Sequence, residues 1–187
     1  MIRAGAISKG VCLLIKGEPY LVTEREFVNP GKGQAFVRVK LKSLKSGQTL
    51  KETIKSHEQI EEAEVEERGA QFLYADGENF HFMDTETYEQ FAVPLSGLEE
   101  KLNYLKEGET YELVVWEGEA IDIKLPLKMT LEVTDAPEAL RGDTVSGATK
   151  QVTLETGLKV KAPLFIKDGD KLLVNSETGE YVERVTG

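Results

Sequence analysis

The segment Glu26-Phe27-Val28-Asn29-Pro30-Gly31-Lys32-Gly33-Gln34-Ala35-Phe36 is a turn between two runs of strand character, residues 21–27 and 35–41. Gly31 and Gly33 carry no Cβ, so the backbone at the tip can take left-handed angles and nothing crowds the residue between them. That residue is Lys32, an ammonium on a flexible four-carbon stem. A hairpin that holds one lysine between two glycines can deliver an amine into a narrow place. An ordinary exposed Pro-Gly turn with a solubilising lysine would look the same over these four residues, so the flanking strands must decide.

After the turn, side chains alternate with period two. Ala35, Val37, Val39 and Leu41 share one face, and Phe36, Arg38, Lys40 and Lys42 share the other. In residues 50–55 the same pattern puts Lys51 and Lys55 opposite Leu50, Glu52 and Ile54. One apolar face and one basic face suit a small barrel lying along a phosphate backbone.

The formal charge of −10 argues against a nucleic-acid binder, but its distribution does not. Residues 1–60 hold eleven Lys/Arg against five Asp/Glu, a balance of +6, and residues 61–187 hold twelve against twenty-eight, a balance of −16. Such asymmetry fits a chain that meets a polyanion with one part and holds the rest away from it. Cys12 is the single cysteine, which rules out an intrachain disulfide. His57 and His81 have no cysteine partners at ligand spacing, so no metal site is expected. Met1-Ile2-Arg3-Ala4-Gly5 lacks the apolar region of a secretory signal, and no run of about 18 apolar residues could cross a bilayer. A soluble, cytoplasmic protein with no membrane partner is expected.

The remaining apolar runs are short, β-branched and cut by Gly-containing turns, the pattern of barrels or sandwiches. An acidic stretch over residues 58–67 reads as a junction. Asp76-Gly77 predicts a hairpin between residues 71–75 and 79–83, and Glu117-Gly118 predicts another between 111–116 and 120–125. Leu98, Leu102 and Leu105 recur at i, i+4 and i+7. With Ser96 and Glu99 spaced as a capping box and Gly108 as a stop, they predict one short helix across a barrel end. Beyond Pro126, strands are predicted at 129–134, 158–161, 164–167, 171–174 and 181–185, with a long loop over 135–150. Three units of about 60 residues each approach the lower limit for independent folding, so the second and third should support each other.

Several motifs carry no chemistry. Arg141-Gly142-Asp143 spells an integrin-type tripeptide in a chain with no sign of secretion. Residues 142–150 have the glycine gap of a P-loop, but Lys150 is displaced by two positions and no helix follows. No nucleophile-elbow motif is present, and no acid, base and nucleophile converge in sequence. Nothing specific supports an enzyme.

With residues 26–36 in view, the chain resembles the bacterial translation elongation factor P family over essentially its full length. Gly17-Glu18-Pro19-Tyr20, Phe82-Met83-Asp84, Tyr88-Glu89, Gly142-Asp143-Thr144, Ala148-Thr149-Lys150, Pro163-Leu164-Phe165-Ile166 and Gly179-Glu180-Tyr181-Val182 extend the likeness. Lys161-Ala162-Pro163 departs from it, since the family more often has Val before the proline. The resemblance implies an all-β chain. Residues 1–63 would be an SH3-like (KOW-type) barrel carrying Lys32, and 64–126 and 127–187 two OB-fold barrels, with one short helix in the middle domain.

It further implies a non-enzymatic factor that binds the ribosome beside the peptidyl-tRNA and relieves stalling at consecutive prolines. Lys32 would be the tip residue at the CCA end, set in a loop of Pro30, Gly31, Gly33 and Gln34. Arg38, Lys40, Lys42 and Lys51 would meet RNA phosphates. Gly142, Asp143 and Thr144 would approach the anticodon side of the tRNA, and Tyr181 and Arg184 would touch RNA. The factor would act as a monomer, without a cofactor other than a covalent extension of Lys32 by a lysine-modifying enzyme. β-Lysylation and aminopentanol addition both act on lysine at this tip, whereas rhamnosylation uses arginine.

Three alternatives stand beside this reading. An elongation-factor-P-like paralogue would share the fold and differ in partner or modification. The hypusine-bearing initiation factor shares the lysine-tipped first domain but has two domains. A generic OB-fold RNA-binding protein would stack bases on aromatic rings and bind free oligonucleotides.

Overall fold

The computed structural model describes residues 1–138 and 148–186, and the all-β expectation holds. The first module contains β1 (Ile2–Arg3), β2 (Cys12–Ile15), β3 (Glu18–Val28), β4 (Phe36–Ser43), β5 (Thr49–Lys55) and β6 (Gln59–Ile60). Strands β2-β3-β4-β5 form an antiparallel meander, and β1 pairs with β6 through Ile2 and Ile60. The period-two pattern of β4 is realised as read: Val37, Val39 and Leu41 are buried beside Leu13, Val22 and Ile54 in a core private to this module.

The second module contains β7 (Glu66–Ala75), β8 (Asn79–Asp84), β9 (Gln90–Pro94), β10 (Thr110–Trp116) and β11 (Glu119–Lys124). The third contains β12 (Lys128–Asp135), β13 (Thr149–Leu154), β14 (Lys159–Pro163), β15 (Lys171–Asn175) and β16 (Tyr181–Val185). Their sheet orders are β11-β10-β7-β8-β9 and β14-β13-β12-β15-β16. Counted within each module, both trace the same topology, with the first strand central, a meander on one side and the last two strands on the other. One continuous hydrophobic core runs through both modules, from Phe80 and Phe82 to Leu131, Ile166 and Leu172. Phe80 and Phe82 are wholly inaccessible, each worth about 3 kcal/mol of apolar transfer. The mutual support expected of two small units is present as a shared interior.

The short helix of the middle module is there, but it is a 3₁₀ helix over Glu99–Tyr104. Leu98 stands at its N-cap position, and no side chain caps it. With three residues per turn, Leu98, Lys101 and Tyr104 share a face. Leu98, Tyr104 and Leu105 are buried, and Leu102 is left 41% exposed. The strand expected over 164–167 is a turn and irregular segment holding the buried Ile166. Conversely β13 starts on the last two residues of the expected loop and runs on through 151–154, where no strand was expected; its Val152 and Leu154 are buried and it pairs with β14.

Candidate functional site

The arm is the hairpin of β3 and β4, paired from Tyr20↔Ser43 to Val28↔Phe36 with a one-residue register shift between Val22 and Glu24. At eleven residues β3 is longer than the barrel needs, and Glu24 through Phe27 are all exposed. The stem carries two rings, each with a guanidinium over it. Arg25 lies 5.6 Å from the centroid of Phe27, and Arg38 lies 5.4 Å from that of Phe36. An Arg25 Nη2–H donates to the Gly5 carbonyl at 2.9 Å, tying the stem to the start of the chain.

Residues 29–35 form the tip loop. Gly33 takes φ +107°, a left-handed angle that a side chain would strain, whereas Gly31 keeps a negative φ. Among the described residues, a Cβ at Gly31 would meet no atom within 4 Å, so they leave the space around the tip open. Gly31, Lys32, Gly33 and Gln34 are exposed and Pro30 is half-buried. Among the described residues Lys32 makes no ion pair. Lys32 is thus a solvent-exposed lysine in the loop between β3 and β4.

The basic face is less basic than its own strand suggests. Arg38 pairs with Glu26 at 3.6 Å, and Lys40 with Glu24 at 3.0 Å, across β3 and β4. Lys51 lies opposite Lys40 on β5, a like-charge juxtaposition that Glu24 relieves from the other side. The alternation of β4 alone does not reveal these acidic partners, which stand on β3. Their signal was available: once the strands end at Val28 and Phe36, the register puts Glu26 against Arg38 and Glu24 against Lys40. Lys42 is half-buried and Lys51 exposed, and neither has an ion pair among the described residues. Glu24, Glu26, Arg38, Lys40, Lys51 and Thr53 line a shallow cleft of about 370 Å³.

In the third module Tyr181 is half-buried and packs against the shared core, which leaves only part of it accessible. Arg184 is exposed and stacks 5.2 Å from the centroid of Phe165, itself 55% exposed. Gly142, Asp143 and Thr144, like the Arg-Gly-Asp tripeptide, lie outside the described residues. His81, read as a strand residue, sits on β8. Its Nε2 lies 2.7 Å from Asp76 Oδ2, and its ring stacks on Tyr74 at 4.4 Å.

Three family models match the chain in series. They are the Elongation factor P (EF-P) KOW-like domain over residues 3–60, the EF-P OB domain over 65–123, and Elongation factor P, C-terminal, over 129–184. The three matches, in the order and at the positions of the three modules, make the chain a translation elongation factor. Elongation factor P of Treponema pallidum (strain Nichols) is 55% identical over 185 residues, covering 99% of each chain. That of Borrelia duttonii is 54% identical over 187 residues, covering 98% of this chain and 97% of its own. The chain belongs to the elongation factor P family. Among solved structures, Eukaryotic translation initiation factor 5A from Methanococcus jannaschii aligns with a TM-score of 0.52 at 24% identity, over 66% of this chain and 90% of that one, a likeness of fold.

Proposed function

We propose that this factor binds the ribosome beside the peptidyl-tRNA and promotes peptide-bond formation at stalled polyproline stretches. The observation that carries the reading is the unobstructed Lys32 at the end of an outstretched hairpin, in a chain of this family. A prolyl nitrogen is a constrained secondary amine and reacts slowly unless the donor ester is well placed. Ordering the CCA end of the peptidyl-tRNA lowers the positional cost of the step without any acid or base from the protein. The ribosome's RNA remains the catalyst, and the factor is not an enzyme.

Arg38, Lys40, Lys42 and Lys51 supply phosphate contacts that hold the first barrel along the tRNA. Gly142, Asp143, Thr144, Tyr181 and Arg184 belong to a second RNA contact. A lysine-modifying enzyme extends Lys32 and so adds reach and hydrogen-bond donors. The factor acts as a cytoplasmic monomer. The Pro30-Gly31-Lys32-Gly33 tip favours this role over that of an elongation-factor-P-like paralogue.

A photo-crosslinker at Gln34 tests the placement. On ribosomes stalled at a Pro-Pro-Pro codon run it should link to the 3′-terminal nucleotides of the peptidyl-tRNA. Links confined to ribosomal protein, or equal on empty ribosomes, would reject it.

A further inference from the structure

The hydrophobic interior divides the molecule into two bodies. The second and third modules share one core. A Lys106–Glu155 pair at 3.1 Å and a hydrogen bond from the Thr156 hydroxyl to the Asn103 carbonyl join them further. The first module has its own core. It meets the second through a small separate cluster of Leu44, Ala63, Trp116 and Ile121, with Lys45 Nζ 5.1 Å from the centroid of the Trp116 ring.

Beside that cluster, the turn after β4 touches the turn before the 3₁₀ helix, backbone against backbone. A Cβ built on Gly47 would lie 2.8 Å from the Cα of Gly97. One built on Gly97 would lie 2.9 Å from the Cα of Gly47 and 3.2 Å from the Ser46 carbonyl oxygen. The atoms met are backbone, with no side-chain end to swing aside, so a side chain here must displace the backbone of one turn or the other. Both residues also take left-handed angles, φ +74° and +80°.

The contact sits at the root of the arm. Gly47 follows the inner end of β4, and the outer end of β4 opens into the Lys32 loop. Eight strand residues span about 26 Å, so a tilt of roughly 5° at the root carries the tip about 2 Å sideways. We propose that the Gly47–Gly97 contact is a joint that fixes the direction of the Lys32 arm relative to the paired barrels, which makes both glycines positioning residues. The consequence for activity rests on the proposed function, and the geometry does not. Misplacement of a reacting group by about 1 Å can cost on the order of 100-fold in rate.

Residual dipolar couplings on the full chain test the joint, with Pro-Pro-Pro synthesis as a second readout. In the wild type, couplings from both bodies should fit one alignment tensor. In Gly47→Ala and in Gly97→Ala each body should keep its internal couplings while the two tensors separate by roughly 5° or more, and the rate through Pro-Pro-Pro should fall about tenfold or more. Gly10→Ala and Gly157→Ala are the controls. Their φ values are +95° and +90°, and a Cβ at either meets nothing within 4 Å among the described residues, so they impose a similar backbone strain without the contact. Both controls should leave both readouts unchanged. Coincident tensors in the Gly47 and Gly97 variants, or equal rotation in the controls, would overturn the proposal. Should Lys32 prove dispensable for rescue, the function falls while the tensors still decide the joint.

Discussion

Replacing Glu24 and Glu26 together by Gln should make binding to tRNA-loaded ribosomes tighter at low salt and more sensitive to salt. Four cations, Arg38, Lys40, Lys42 and Lys51, face the proposed RNA backbone, and two of them are already paired with Glu26 and Glu24. The face therefore offers a net of about two charges in the wild type and about four in the double variant. With the duplex slope of about −0.9 per neutralised phosphate, raising salt from 50 to 200 mM should weaken the wild type about 12-fold and the variant about 150-fold. Both pairs are exposed, so removing them costs the fold under about 1 kcal/mol. The assay is equilibrium pelleting with stalled ribosomes across a potassium chloride series at fixed magnesium, with unfolding curves to confirm intact structure. Equal salt slopes for wild type and variant would refute the assignment of this face to RNA.

Two further outcomes follow from the second module. Phe82→Ala empties a wholly buried position whose ring lies 5.3 Å from that of Phe72; urea titration should show a loss of about 3–5 kcal/mol. The Asp76 carboxyl is pulled from an ordinary 3.8 to about 2, chiefly by its hydrogen bond to His81 and then by the amides of Glu78 and Asn79. A lowered folded-state value means that this contribution is complete above 3.8 and disappears as pH falls through about 2. Asp76→Asn should flatten the stability profile of the second module across that window, as followed by acid titration of the near-ultraviolet circular dichroism.

The arm was legible because its signals are local. Alternation over 35–41 depends on period two alone, and Gly33 uses the left-handed freedom read from its lack of a side chain. The middle helix shows where local reading fails. The leucine spacing of 98, 102 and 105 asks for 3.6 residues per turn, but Gly97 is held against Gly47 at φ +80° and separates Ser96 from the helix it was expected to cap. The start of the helix therefore lies beside a contact between modules, which local spacing does not reveal. β13 was missed for a similar reason, since Thr149–Leu154 has only Val152 and Leu154 as apolar residues and its pairing with β14 supplies the rest. The carboxylates beside Arg38 and Lys40 were hidden in the partner strand, visible only once the register was known.

The central claim is that the Lys32 amine, carried beyond the first barrel, orders the end of the peptidyl-tRNA. The direct measurement is the rate of synthesis through Pro-Pro-Pro in a purified translation system with wild-type factor or Lys32→Ala, each confirmed to bind the ribosome. The variant should bind and yet lose at least about tenfold of the stimulated rate, since positioning alone is removed. Full stimulation by ribosome-bound Lys32→Ala would contradict the account.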